Sequence, residues 1–389
     1  MPFDFDEIID RRGTAAVKWD KYAERDVIPM WVADMDFRSP PAVVEAVRLR
    51  VEHGVFGYTD SPSELNTVIV AHLARAYGWT VKPEWLMWLP GLVTGINLVC
   101  SAIGKEGDDV VTATPVYHPF LTGPVNQQRG VVRVPMRLEG NRWLWDFERL
   151  EASITPRSKL LLLCNPHNPV GRVFSREELG ELARIAAKHD LVICSDEIHC
   201  GLILDAAKSH VPIATLGDDA SARTITLMAA SKTFNLAGLG CAFALVSNAS
   251  LRKRLERAAA GIVPRVTAPG FAATLAAYRD CEPWRLALVD YLRGNLDLVM
   301  DRIEATAGLS MTPLEATYLA WIDVRAAQLP APAKFFEQAG VGLYDGKVFD
   351  GEGYVRLNFA CPRSVLVKAL DRMAEALRRR TTPQASHES

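Results

Sequence analysis

An excess of charge of either sign is missing from this chain: 44 Lys and Arg stand against 46 Asp and Glu, a formal net charge of −2, and no basic stripe runs along it. So balanced a chain argues against binding to nucleic acid or to an anionic membrane. The seven cysteines (Cys100, Cys164, Cys194, Cys200, Cys241, Cys281 and Cys361) lack metal-ligand spacing and are odd in number, and several lie in apolar runs. They predict reduced thiols in the cytoplasm and no metal site. No export signal is expected, because Met1-Pro-Phe-Asp-Phe-Asp-Glu is acidic where a leader would be basic and then apolar. An unbroken membrane span is lacking too. The uncharged stretch from Trp85 to Gly104 is interrupted by Pro90-Gly91, which predicts a short strand over 85–89, a turn, and a helix from near Thr94. Internal repeats and low-complexity segments are absent.

What is present suits a globular enzyme: 389 residues, 49% hydrophobic and 23% charged, a length that suggests two domains. Near-continuous apolar runs at 109–113, 131–135, 159–164, 191–196, 224–230 and 241–247 predict parallel strands buried on both faces, with helices covering the sheet. Ser175-Arg-Glu-Glu178 is a capping box, and Leu179, Leu182, Ala183 and Ala186 follow it at helical spacing. Beyond about residue 280 the pattern changes. A long helix (283–306), a strand (318–324), a short helix (332–339), a strand (354–359) and a last helix bearing Leu366, Leu370, Met373 and Leu377 predict a smaller α+β domain. The expected division is therefore a large α/β domain over 46–280 and a small one over 281–380, joined by residues 1–45, with a disordered tail at 381–389.

The candidate chemistry gathers around Lys232, which follows the apolar run Thr224 to Ala230 and precedes an Asn- and Gly-containing turn. A lysine desolvated in this way can form a Schiff base with an aldehyde, and pyridoxal phosphate is the aldehyde proteins most often hold so. Taken alone, such a lysine is more often structural. The cofactor, however, also needs a carboxylate for its ring nitrogen, a donor for its phenolic oxygen, a stacking ring and a phosphate cradle. Asp196 ends the run Leu191 to Ser195, at the strand edge where open α/β sheets bind ligands; by itself it reads equally as a loop cap. Asn168, in Asn165-Pro-His-Asn-Pro-Val-Gly171, offers an amide donor at the end of the preceding strand. Gly91, Leu92 and Val93 open a helix whose N–H groups suit a phosphate. Tyr117 is a candidate stacking ring, and His199 a support for Asp196 or the phenolic oxygen; their plain alternatives are packing and a satisfied core histidine. Alternation in Tyr354-Val-Arg-Leu-Asn-Phe puts Arg356 on the face opposite Val355 and Leu357, facing either solvent or a substrate carboxylate.

With these residues assembled, the chain resembles the fold-type I pyridoxal phosphate enzymes, the aspartate aminotransferase superfamily, over almost its whole length. Within them, Pro29-Met-Trp-Val-Ala-Asp-Met-Asp-Phe37, Gly13-Thr with Lys18-Trp-Asp20, and Ser231-Lys-Thr-Phe-Asn-Leu-Ala-Gly-Leu239 resemble the MalY/PatB-type cystathionine and cysteine-S-conjugate β-lyases. The resemblance implies a large domain with a mostly parallel seven-stranded sheet, a smaller α+β domain, and pyridoxal 5′-phosphate as cofactor. It makes Lys232 the Schiff-base lysine, Asp196 the ring-nitrogen partner, Asn168 the donor to the phenolic oxygen and Tyr117 the stacking ring, with Gly91, Leu92, Val93 and Ser231 around the phosphate. Tyr58 matches a tyrosine that reaches the phosphate from a second subunit, which implies a homodimer with shared sites. Arg356 matches the carboxylate-binding arginine, with Asn168 and Ala33 near the substrate.

Two departures from the aminotransferase pattern stand out: His199 replaces a tyrosine, and Gly240 replaces an arginine that binds the phosphate. The expected reaction is β-elimination from a small amino-acid substrate. Lys232 removes the Cα proton and Tyr117 assists departure of the thiolate, giving pyruvate, ammonia and a thiol. An aminotransferase built on the same lysine is the alternative, and a cofactor-binding regulator a more distant one.

Overall fold

Burial decides which apolar runs become the central sheet. In the computed structural model, which describes residues 3–381, the strands Asp109–Thr114 and Thr224–Met228 are buried at every position and Ser158–Cys164 at all but one. Such strands need cover on both faces, which parallel connections through helices supply. The sheet has seven strands in the spatial order Leu86–Leu89, Ala242–Leu245, Thr224–Met228, Val192–Asp196, Ser158–Cys164, Asp109–Thr114, Gly130–Pro135. Ala242–Leu245 runs antiparallel to both neighbours, and every other pairing is parallel. This is the α/β, mostly parallel sheet that the sequence predicts.

The parallel strands point their C-terminal ends to one edge, and the register there places Cys164 opposite Asp196 and Asp196 opposite Leu227. Asp196 ends its strand at this edge, and the loops that leave the edge carry Tyr117, Asn168 and Lys232. Pro90-Gly91 breaks the uncharged stretch as expected, into the strand Leu86–Leu89 and the helix Leu92–Ala102, which starts two residues before the predicted Thr94. Among the described residues no helix is long and apolar enough to cross a membrane. The run 224–230 gives a strand only to Met228, since the chain must turn over the next residues to bring Lys232 to the sheet edge.

A second sheet orders Ser310–Met311, Leu319–Asp323, Tyr354–Asn358 and Tyr344–Asp345, all antiparallel. The helices Glu282–Glu304 and Arg363–Thr381 share its hydrophobic core. The N-terminal stretch reaches this side: Ile28–Pro29 pairs in parallel with Val341–Gly342, Asn358 N–H donates to Met30 O, and Asp36 N–H to Ala360 O. Thr381 ends the last helix, and the rest of the predicted tail lies outside the described residues. All seven cysteines are unpaired, six of them buried.

Candidate active site

Side chains from loops distant in sequence line one cavity of about 1180 Å³ at the sheet edge. Gly91, Leu92, Val93, Tyr117, Asn168, Asp196, His199, Ser231, Lys232, Ala33 and Arg356 all face it. Of the predicted site residues only Tyr58 stands apart, fully exposed in the loop after the helix Pro41–Glu52.

Lys232 lines the cavity half-buried, its Nζ donating to Ala33 O at 2.6 Å. Burial lowers its amine from the ordinary lysine value to about 8; Asp34 and Asp196 work against that shift, and Arg356 adds to it. Asp196 shows the mirror effect. Burial raises its carboxyl to about 7, in spite of the Ile198 N–H that donates to Oδ1 at 3.1 Å. Among the described residues no cationic side chain forms a salt bridge with this carboxylate, and the charge of Lys232, acting from a distance, only partly offsets its burial.

Arg356 poses the opposite problem. Its side chain is buried, Nη1 donates to Asn168 Oδ1 and Nη2 to Trp31 O, both at 3.0 Å, and Nε has no partner among the described residues. Phe349 and Tyr344 pack on the guanidinium at 4.6 and 5.1 Å. Burial pulls its pKa down to about 10. A buried guanidinium without a carboxylate partner is an anion site, and the second face of its strand is thus the cavity rather than solvent. Asn168 spends its Oδ1 on Arg356, which leaves its amide N–H groups as donors for a ligand oxygen.

The helix Leu92–Ala102 begins its hydrogen-bond ladder with Gly95 N–H to Gly91 O. The N–H groups of Leu92, Val93 and Thr94 therefore have no acceptor within the helix, and they stand at its positive end. Gly240, which replaces an arginine of the aminotransferase pattern, has φ +55°, and a Cβ there would lie 3.2 Å from Pro90 O. The backbone beside Pro90-Gly91 thus leaves little room for a side chain. Tyr117 is held by its N–H to Asn168 O at 3.0 Å, and burial raises its phenol, which stays a donor. Among the described residues His199 forms no hydrogen bond to Asp196. Its Nδ1 has no partner, its ring meets Tyr318 edge-on at 6.1 Å, and burial lowers it to about 3, so it is a neutral imidazole.

Two buried networks fix the loops. Glu197 accepts from Ser195 Oγ at 2.8 Å and meets His210 Nε2 at 2.7 Å, which anchors the chain on both sides of Asp196. Arg172 joins Glu178 of the capping box to Glu315, whose Oε2 also accepts from Val173 N–H at 2.7 Å, and so ties the Asn168 loop to the second sheet.

The sequence pattern does not reveal Asp34, Asn235, Tyr318, Asn358, His118 or Tyr344, although Asp34, Asn235 and Asn358 lie within the segments 29–37, 231–239 and 354–359. Asn235 Nδ2 donates to Met35 O and Phe37 O, and Asn358 Nδ2 to Val32 O and Asp34 O. These residues hold a segment hundreds of positions away, a role with no local periodicity.

The cavity fits pyridoxal phosphate: a desolvated lysine, a buried carboxylate without a cation, and free N–H groups at a helix start are what that group requires. Residues 25–373 match the family model described as aminotransferase class I and II. The chain is 36% identical to cystathionine beta-lyase PatB of Bacillus subtilis (strain 168), over 96% of this chain and 99% of that one. Its structure is similar to that of OvoB, with TM-score 0.94 and 45% identity over 96% of this chain and 99% of the other. It is also similar to cystalysin from Treponema denticola, which contains a pyridoxal 5′-phosphate cofactor, with TM-score 0.93 and 32% identity over 98% and 100% of the two chains.

Proposed function

The chain belongs to the aminotransferase class I and II family, and from that premise we propose that it is a pyridoxal 5′-phosphate-dependent carbon–sulfur β-lyase. It cleaves cystathionine or another cysteine S-conjugate to pyruvate, ammonia and a thiol. One observation carries the reading: Lys232, its amine lowered to about 8, shares a single cavity with a carboxylate and a guanidinium that, among the described residues, have no salt-bridge partner. The likeness to PatB supports lyase over transaminase chemistry.

Bound pyridoxal phosphate supplies an electron sink for bond breaking at Cα and Cβ. Asp196 serves its ring nitrogen, Asn168 its phenolic oxygen and Tyr117 its ring face, while Ser231 and the N–H groups of Leu92 and Val93, after Gly91, hold the phosphate. Arg356 binds the substrate α-carboxylate, beside Ala33. Lys232 then takes the Cα proton. An amine near pH 8 leaves a useful neutral fraction at physiological pH and can hold the proton it accepts. The Tyr117 phenol, kept protonated by burial, donates toward the departing sulfur.

A homodimer is part of the proposal. Val44, Leu49, Val51, Val55, Phe56 and Tyr58 leave an exposed apolar band along Pro41–Glu52 and the loop after it, from which Tyr58 reaches a partner's phosphate. Seven unpaired cysteines support a cytoplasmic home.

The test is pyruvate release from cystathionine, cystine, djenkolate and S-alkylcysteines with no keto acid added. Wild-type protein is expected to release pyruvate and a thiol, and Lys232→Ala to release none. Strict dependence on 2-oxoglutarate would instead establish a transaminase.

A further inference from the structure

The segment from Trp31 to Phe37 enters the cavity with its carbonyl groups captured by distant side chains. Arg356 donates to Trp31 O, Asn358 to Val32 O and Asp34 O, and Asn235 to Met35 O and Phe37 O. Ala33 O accepts from both Lys232 Nζ at 2.6 Å and Tyr318 Oη at 2.9 Å. A backbone held at so many points gives the Asp34 side chain a fixed place.

That place is unusual for a carboxylate. Asp34 Oδ2 is bonded to Arg11 Nη2 at 2.5 Å, whereas Oδ1 is buried with no partner. Asp36, two residues on, spends both oxygens: Oδ1 on Arg11 and Trp19, Oδ2 on the buried Lys18. The salt-bridged pair and the half-free carboxylate thus sit side by side, and only Asp34 adjoins the carbonyl that receives the Lys232 amine.

The groups facing Lys232 come from several elements. Asp196 closes one sheet strand, His199 follows it, Tyr318 shares Ala33 O, and Arg356 stands on the second sheet. Of the two carboxylates that favour a proton on the lysine, Asp196 has its own task at the ring nitrogen. Asp34 is the one left for the amine.

We propose that Asp34 is a positioning residue for the Lys232 amine: tethered by Arg11, its free oxygen favours the protonated nitrogen and so sets how strong a base the lysine is. This rests on Lys232 being the Schiff-base lysine. The charge acts across the cavity wall, opposing burial and Arg356, both of which disfavour a cation there.

The experiment is a pH titration of the visible absorption band of the holoenzyme, which reports protonation of the Lys232 nitrogen, in wild type, Asp34→Asn and Asp34→Glu. Asp34→Asn is expected to lower the midpoint by about one pH unit, and Asp34→Glu, which keeps the charge, to restore it. The acid limb of the kcat profile should fall with the same sign. A midpoint unmoved in Asp34→Asn, or moved as far in Asp34→Glu, overturns the proposal in favour of a purely structural clamp. Should Asp34→Asn not fold, Asp34→Ser removes the same charge and carries the same expectation. A wild-type holoenzyme without a visible band, or a band that survives in Lys232→Ala, overturns the reading of Lys232 and this role with it; an unmoved midpoint overturns only the role.

Discussion

Burial moves Lys232 and Asp196 in opposite directions, to about 8 and about 7, because a low-dielectric site disfavours either charge. Each then stands ready for a ligand charge that water would otherwise have matched. Arg356 is in the same position toward a carboxylate, its guanidinium over the Phe349 ring and its fork of N–H donors one that a lysine cannot reproduce. Arg356→Lys is therefore expected to raise KM about 10- to 100-fold, the loss of one charge-assisted hydrogen bond or two, while the visible cofactor band stays as in wild type. Steady-state kinetics beside an absorption spectrum check this; an unchanged KM would remove Arg356 from the carboxylate site. These residues are legible in the sequence because each closes or interrupts an apolar run with a polar group. Asp34 and Asn358 are not, since Asn358 reaches Val32 O and Asp34 O across 326 and 324 positions, contacts that obey no local period.

The elements that carry these side chains depend on a few backbone positions. Gly171 ends the Asn168 loop at φ +69°, and a Cβ there would overlap Leu314 and approach Ala316 O at 3.1 Å. Gly171→Ala should destabilise the protein by about 2–4 kcal/mol, overpacking added to left-handed backbone strain. Chemical denaturation checks it, with Leu314→Ala in the same chain relieving part of the loss. Ser175→Ala removes one half of the capping box and should cost about 1 kcal/mol by the same measurement. The capping box and the strand runs are readable because they are local. The hold of Arg172 on Glu315 is not: two charges 143 residues apart meet only once the Asn168 loop and the second sheet have docked.

At the scale of the molecule, pH tests how the buried groups sum. Burial lowers His72 and His167 from 6.5 to about 4 and His199 to about 3, so the unfolded chain takes up protons near pH 6.5 that the folded one refuses. Asp196 acts oppositely, since its raised value lets the folded state hold a proton the unfolded state has released between 3.8 and about 7. Three protons against one leave the unfolded state the greater binder, so stability falls with pH from 6.5 toward 4, by about 1.4 kcal/mol per pH unit for each net proton. The thermal midpoint of the cofactor-free protein should drop over that window; a flat or rising midpoint would count against these burials. The apolar band around Tyr58 belongs to this scale as well. Sedimentation should give a dimer, and Tyr58→Ala should weaken cofactor retention more than it changes the folded spectrum.

By itself the sequence determined the strands, the capped helix and the polar residues at their ends, because periodicity and turn chemistry act over a few residues. It also placed those ends on one edge of the sheet, where the cavity lies, since buried parallel strands share one direction. Only the tertiary structure decided that Arg356 faces the cavity without an acid partner, that His199 stands neutral beside Tyr318, and that the 31–37 segment is clamped against Lys232 with one Asp34 oxygen free. Those outcomes depend on desolvation and on contacts between chain segments hundreds of residues apart, which no local pattern encodes.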